Sequence, residues 1–286
     1  MTRLTILGSG PSSGVPGVGI GWGACDPANP RNRRLRQSVM VERGATRVLV
    51  DTSPDLRQQL LTHGVEALDA ILFTHAHADH LHGIDDLRGV NRAMNAALPV
   101  YTDAATKAHI SERFGYVLEP LREGATVYYK PVLDVSVVAP GQAFSVGELE
   151  VMPFDQDHGF SRTLGFRFGP IAYSTDVLNL PPEAFEALLG VDVWIIGVFS
   201  IKPHNTHAHV DRALEWIDRV RPRHAILTHL GPTIDHAALE AMTPDHVHAA
   251  FDGMVIEARE GQIDISPGIG ADSGELALES RYPKSA

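Results

Sequence analysis

Apolar residues along the chain fall into short runs separated by glycine, proline and polar turns, a spacing that favours many strands over a few long helices. Leu4 to Leu7 reads as a strand that runs into GSGPSSGVPGVGIGWG, a stretch too punctuated for regular structure and therefore a loop. Ser38 to Glu42 and Arg47 to Val50 predict two strands joined by a turn at Gly44, the second ending at Asp51. Ser53-Pro54-Asp55 predicts a helix start, with Ser53 as the N-cap and Pro54 in the first helical position. Ala70 to Phe73 is a buried-type strand that empties into a histidine-rich segment. A helical stretch follows Leu81, then a strand at Pro99 to Thr102, a helix at Ala104 to Phe114, and strands at Val135 to Ala139 and Leu149 to Phe154. Strands at Thr163 to Phe168, Pro170 to Ser174 and Val193 to Val198 lead to a helix at His209 to Val220. The strand Ala225 to Leu227 then ends in Thr228-His229. Interleaved strands and helices with several hairpins predict a mixed α/β layered domain. No linker divides it, so residues 1–267 read as one domain and 268–286, polar and bearing Gly, Ser and Pro, as a loose tail.

Composition narrows the function. With 286 residues, 44% of them hydrophobic, the chain can bury a sizeable core. A net charge of −11 repels a long polyphosphate backbone, which argues against a general nucleic-acid binder. The apolar runs are too short for a membrane span and the first ten residues lack a signal-peptide pattern, so a soluble, cytoplasmic protein is expected. Cys25 is the sole cysteine, which excludes an intramolecular disulfide and any multi-cysteine metal cage within one chain. Histidine is the compositional signal: there are 15, clustered at His75 to His82 and His204 to His209. His63, His109, His246 and His248, outside any motif, read as surface or structural residues.

The segment His75-Ala76-His77-Ala78-Asp79-His80 places four ligand-type side chains within six residues at the end of a buried strand. One tetrahedral ion cannot easily take all four from so short a loop, so the spacing favours two ions. Further ligands are expected at strand ends, where a rigid scaffold would place them. His158 could complete the set of His75 and His77, Asp176 could bridge, and His229 could join Asp79 and His80. The segments Ala70 to His75 and Ala225 to His229 echo one another, each delivering Thr-His at the end of an apolar strand.

These residues resemble the metallo-β-lactamase superfamily, whose pattern is His-x-His-x-Asp-His followed by a later His, a later Asp and a final His. The resemblance, from about Leu4 to Leu230, implies a four-layer αββα sandwich of two mixed sheets, with a binuclear site at one edge between them. It also implies that Asp51 is a hydrogen-bonding residue rather than a ligand. Gly8-Ser9-Gly10, Ser13-Gly14-Val15-Pro16, Asn32 to Ser38, Asp51 to Asp55 and Gly83 to Arg88 are similar to the PhnP-like phosphodiesterase branch. One member of that branch is similar to proteins with an extra structural zinc held largely by cysteines after the glycine-rich loop. With Cys25 alone here, packing or a salt-bridge network is expected to order residues 17–31.

A pair of divalent ions, zinc or manganese, implies hydrolysis by hydroxide, and either carbon or phosphorus could be the target. Pro203 to His209 decides between them. Loss of an alkoxide from phosphorus needs a proton donor, which an imidazole can supply. The phosphodiesterase branches carry a histidine at a similar distance before the final Thr-His, and His207 falls there. The resulting expectation is a phosphodiesterase acting on a small substrate such as a cyclic phosphate or nucleotide-like ester. His207 and Asp79 are its catalytic residues, and Arg36, Arg88 and His204 its candidate substrate contacts. Either arginine could instead pair with an acidic neighbour such as Asp85 or Asp86. A homodimer is compatible with the sequence. The competing readings are a carboxylic ester, lactone or thioester hydrolase on the same metals, with no need of His207, and a non-catalytic PqqB-like carrier.

Overall fold

A computed structural model describes residues 1–259 and 261–268, so the tail expected at 268–286 lies outside the described residues except for Gly268. The chain opens with β1 (Thr2–Gly8), crosses the glycine-rich loop, and forms a hairpin from β2 (Ser38–Arg43) and β3 (Thr46–Val50). Gly44 takes φ +57 in the hairpin turn, and a Cβ there would sit 2.0 Å from the Glu148 carboxylate. Then come α1 (Leu56–His63), β4 (Ala70–Leu72), the single-turn α2 (Ala78–Leu81), α3 (Leu87–Met94), β5 (Leu98–Thr102), α4 (Ala104–Phe114) and β6 (Leu133–Val137). The second half holds β7 (Phe144–Val146), β8 (Leu149–Asp157), β9 (Arg162–Phe168), β10 (Ile171–Ser174), α5 (Pro182–Leu188), β11 (Val193–Gly197), α6 (Val210–Val220), β12 (His224–Thr228), α7 (His236–Met242), β13 (Val247–Ala249), β14 (Met254–Arg259) and β15 (Gln262–Pro267).

These strands form two mixed sheets, one in the order β15-β14-β1-β2-β3-β4-β5-β6 and the other β13-β12-β11-β10-β9-β8-β7. Strand periodicity sorts the side chains into layers. Val39, Val41, Val48, Val50 and Leu72 from the first sheet meet Phe166, Tyr173, Val193, Ile195 and Ile226 from the second in a shared core. The alternate residues Met40, Leu49, Ile71, Phe73 and Val100 face α1, α3 and α4. On the second sheet Ala172, Trp194, Ile196, Ala225 and Leu227 face α5, α6 and α7. Both faces of each central strand are therefore buried, which is why these segments read as continuous apolar runs rather than alternating ones. The result is the expected αββα order of layers. Truncating a fully buried residue such as Ile195 to alanine would cost about 2–5 kcal/mol.

Several sequence-based boundaries shift, most of them by a residue or a few. Ser53 and Pro54 do not open a helix: α1 begins at Leu56 with Asp55 in the cap position. The Ser53 hydroxyl instead accepts from the Asp55 amide at 3.2 Å, closing a turn before the helix. The strand placed at 135–139 lies at Leu133–Val137, where it pairs in parallel with β5.

Candidate metal centre

Strand ends position the site. Asp51 follows β3, Asp176 lies two residues beyond β10, and His229 follows β12. All three take positive φ, +63, +46 and +57 respectively. This left-handed conformation costs a non-glycine residue about 1–3 kcal/mol and turns each side chain back over the sheet edge. Between β4 and α3 the chain carries His75 and His77 on a loop, and Asp79 and His80 on α2. Thr52 holds that short helix: its amide donates to the His80 carbonyl at 2.7 Å, its hydroxyl donates to the Leu81 carbonyl at 3.0 Å, and its carbonyl accepts from the Gly83 amide at 2.9 Å. Gly83 permits the approach, since a Cβ would lie 2.0 Å from the Ser53 carbonyl oxygen. His158 comes from the end of β8, which runs three residues past the predicted strand.

Seven side chains converge in two groups, His75, His77, His158 and Asp176, and Asp79, His80, Asp176 and His229, with the donor atoms of each group within 4.8 Å of one another. Asp176 belongs to both. Its Oδ2 stands 3.4 Å from His75 Nε2 and 3.4 Å from His158 Nε2, while its Oδ1 stands 3.4 Å from His80 Nε2 and 3.0 Å from His229 Nε2. Asp79 Oδ2 is 3.4 Å from His80 Nε2 and 3.6 Å from His229 Nε2. The Nε2 atoms of His75, His80 and His229 are buried with no hydrogen-bond partner. Orphaned imidazole nitrogens facing shared carboxylates are costly in a metal-free fold and are the donors a divalent ion takes. The residues present therefore fit two such ions.

Hydrogen bonds on the far ring nitrogens aim the imidazoles. His80 Nδ1 donates to Asp51 Oδ2 at 2.7 Å, His158 Nδ1 donates to the Thr206 carbonyl at 2.6 Å, and His75 Nδ1 is 2.9 Å from the Thr74 hydroxyl. Asp51, itself fixed by the Thr74 amide and hydroxyl at 2.8 Å each, touches no other group of the cluster. Charge follows the same geometry. Burial, and then the charge of His80, pull the His75 imidazole below its ordinary range. Burial also pulls His158 down to about 4. Around His80 burial is outweighed by the carboxylates of Asp176, Asp79 and Asp51, which hold it well above the ordinary value. Asp176 stays ionised despite burial because His229 and His80 face it. Neutral imidazoles and ionised carboxylates are the ligand forms of both side chains.

His207 lies against this cluster. Its Nε2 is 3.5 Å from Asp176 Oδ2, and its ring centroid is 4.7 Å from that of His158 and 5.2 Å from that of His229. His204 is exposed beside it, with ring centroids 5.1 Å apart, both packing on Phe199. The two arginines stand elsewhere. Arg36 is engaged by Asp55, rather than by Asp85 or Asp86, through Nε to Oδ2 at 2.8 Å and Nη2 to Oδ1 at 2.7 Å, so its guanidinium fork is taken. Arg88 is exposed on α3, whose buried face is Leu87, Val90 and Asn91, and it lines a groove with Arg57, Asp85, Asp86 and Arg92 that contains none of the ligands. The arginine that does reach the ligand loop is Arg113, on α4, donating to the Ala76 carbonyl at 3.0 Å. No local motif in the sequence marks it, because α4 meets the loop only in three dimensions.

A buried guanidinium orders the segment after the glycine-rich loop. Arg34 is 2% exposed and donates to the carbonyls of Leu230 at 3.1 Å and Ile234 at 2.9 Å and to Asn32 Oδ1 at 3.0 Å. Cys25 donates to the Ile234 carbonyl at 3.2 Å, and Asn32 donates to Asp235 at 2.6 Å. A hydrogen-bond network around one cation thus ties residues 25–34 to the chain just after His229.

A family model for the beta-lactamase superfamily domain matches residues 46–230. The chain belongs to the metallo-β-lactamase superfamily. Within it, a crystal structure of a new diphosphatase from the PhnP family superposes with a TM-score of 0.82 at 32% identity, covering 91% of this chain and 98% of that one, which places the chain in the PhnP-like branch. Two curated relatives match over parts of their length. An octanoyltransferase of Porphyromonas gingivalis is 32% identical over 293 residues, 97% of this chain and 58% of that protein. A ribonuclease Z of Bradyrhizobium sp. is 28% identical over 172 residues, 59% of this chain and 53% of that protein. The chain thus spans little more than half the length of these two relatives. The superfamily match and the two groups of metal-ligand side chains support a metal-dependent hydrolase domain. No helix among the described residues is long and apolar enough to cross a membrane.

Proposed function

We propose that the chain is a binuclear phosphodiesterase acting on a small phosphodiester, a cyclic phosphate or nucleotide-like ester, in the cytoplasm. Two zinc or manganese ions would be held by His75, His77, His158 and Asp176 on one side and by Asp79, His80, Asp176 and His229 on the other. When bound, such ions supply a nucleophile from water at neutral pH and neutralise charge growing on the phosphoryl oxygens. The observation that carries the reading is His207, whose Nε2 faces the shared carboxylate from outside both ligand groups. A carbonyl substrate with a good leaving group needs no proton donor there, whereas a departing alkoxide does. The diphosphatase relative supports phosphorus as the target, and the charge of −11 supports a small substrate over a long nucleic acid.

Asp79 would hold an ion, and it keeps its negative charge beside His80 and His229. His204 stands on the rim beside His207, within reach of a substrate. The test compares turnover of bis(p-nitrophenyl) phosphate with that of p-nitrophenyl acetate by the metal-loaded protein. Dominance of the phosphodiester is expected; dominance of the acyl ester would overturn the reading in favour of carbon chemistry.

A further inference from the structure

For His207 to give up a proton it must be the imidazolium, because a neutral imidazole would leave an imidazolate. Its Nδ1–H then needs an acceptor, and its ring must keep Nε2 over the cluster. The only groups within hydrogen-bonding range of Nδ1 among the described residues are the Thr206 hydroxyl at 2.8 Å and His204 Nδ1 at 3.3 Å.

One fixed donor sets the direction of this small network. The Thr206 amide can only donate, and it points at His204 Nδ1 at 3.3 Å, so that nitrogen is an acceptor. The Thr206 hydroxyl lies 3.3 Å from the same nitrogen and can give it its proton. With its proton turned to His204, the hydroxyl has lone pairs free to accept from Nδ1–H of a His207 that acts as the acid. The same threonine also accepts from His158 Nδ1 through its carbonyl, so it is held from the opposite side by a ligand of the cluster. Gly159, next to His158, packs on it, its Cβ position 3.3 Å from Thr206 Cγ2.

We propose that Thr206, backed by His204, is the positioning residue for His207: it accepts the Nδ1 proton, fixes the ring, and leaves Nε2 as the nitrogen whose proton is transferred. The inference rests on the reading of His207 as the acid. In the step it serves, hydroxide forms a bond to phosphorus and the bond from phosphorus to the leaving oxygen breaks, with its electron pair going to that oxygen. The Nε2–H bond of His207 breaks as that oxygen takes the proton. His207 is left neutral, protonated on Nδ1 against Thr206, and regains its Nε2 proton from solvent.

The test uses the zinc-loaded full chain with Thr206→Val, Thr206→Ser, His207→Ala and the double variant Thr206→Val/His207→Ala. Aryl phosphodiesters graded from p-nitrophenol to phenol as leaving group are the substrates, with metal content and the ¹⁵N signals of the His207 ring as readouts besides activity. Valine keeps the carbonyl that His158 uses and removes only the hydroxyl. A hydrogen bond to a charged group is worth enough that Thr206→Val should lower kcat on the phenyl ester by about 10- to 100-fold with KM unchanged. The p-nitrophenyl ester, whose leaving group needs no proton, should be hardly affected. Serine should restore most of the rate, the double variant should be no slower than His207→Ala alone, and Thr206→Val should lose the Nδ1-protonated signal. If His207→Ala slows the phenyl ester while Thr206→Val does not and keeps the native tautomer, the role of Thr206 is wrong and that of His207 stands. If His207→Ala leaves the phenyl ester unchanged, the underlying reading falls and this one with it. Equal losses on all esters together with lost metal would make Thr206 a support of His158 instead.

Discussion

The two ligand groups share Asp176 but are built differently. His75, His77 and His158 are three imidazoles completed by one carboxylate; His77 is exposed, and His75 and His158 lean on a hydroxyl and a carbonyl. The group of Asp79, His80 and His229 is wholly buried, holds two carboxylates, and has the Asp51 carboxyl group behind His80 at 2.7 Å. More negative charge and no solvent-facing ligand should make the second group hold its ion more tightly. The open group beside His207 should be the one that exchanges. A carboxylate pressed on the far nitrogen of a ligating imidazole also raises its basicity, which acts in the same direction.

The largest effect should come from the residue common to both. Asp176→Ala removes one oxygen from each group, so elemental analysis should find the content of both ions reduced and turnover of bis(p-nitrophenyl) phosphate down by roughly 10³-fold or more, several kcal/mol of transition-state stabilisation. Retention of either ion at full occupancy would show that Asp176 serves one group only. His207→Ala should separate chemistry from binding: turnover of a diester with a poor leaving group should fall by roughly 10²- to 10⁴-fold while both ions stay. Asp51→Asn should then divide the two groups. Ion affinity in the buried group is expected to fall about 10- to 100-fold, measurable by competition with a chromophoric chelator, with the open group little changed. An equal loss from both would erase the asymmetry.

How far the sequence reached depends on how local each feature is. Four ligand-type side chains within six residues could be read directly, and the convergence of His158, Asp176 and His229 on them could be anticipated because each ends or succeeds an apolar strand. The central strands were readable for the same reason that they are buried on both faces. What could not be read depends on partners far along the chain. Arg36 is claimed by Asp55 and Arg113 reaches Ala76, pairings that no local pattern announces. Arg88 sits in a matching local signature, yet one step around the helix from Leu87 puts it on the outer face of α3. The short β7 and β13 have three residues each and are strands only because a neighbour pairs with them. β14 owes its place to β1, from the other end of the chain.

The smallest effect lies outside both groups and serves as their control. Burial holds the His236 imidazole at about 4, below its ordinary 6.5, so the folded chain keeps it neutral. The stability at stake is complete above pH 6.5 and is lost as pH falls from 6.5 towards 4, where the unfolded chain takes up the proton first. The loss reaches at most about 3 kcal/mol. Denaturant unfolding of the metal-free protein should show this acid slope, and His236→Phe should flatten it without altering ion content at pH 7. An unchanged slope would show that the acid sensitivity arises among the ligands themselves.

The most direct measurement is the number of ions carried by the folded chain. Protein purified without chelator and analysed for zinc and manganese should contain close to two divalent ions per chain, with dialysis removing one well before the other. A value near one, or near zero in protein that unfolds cooperatively, would contradict the binuclear centre.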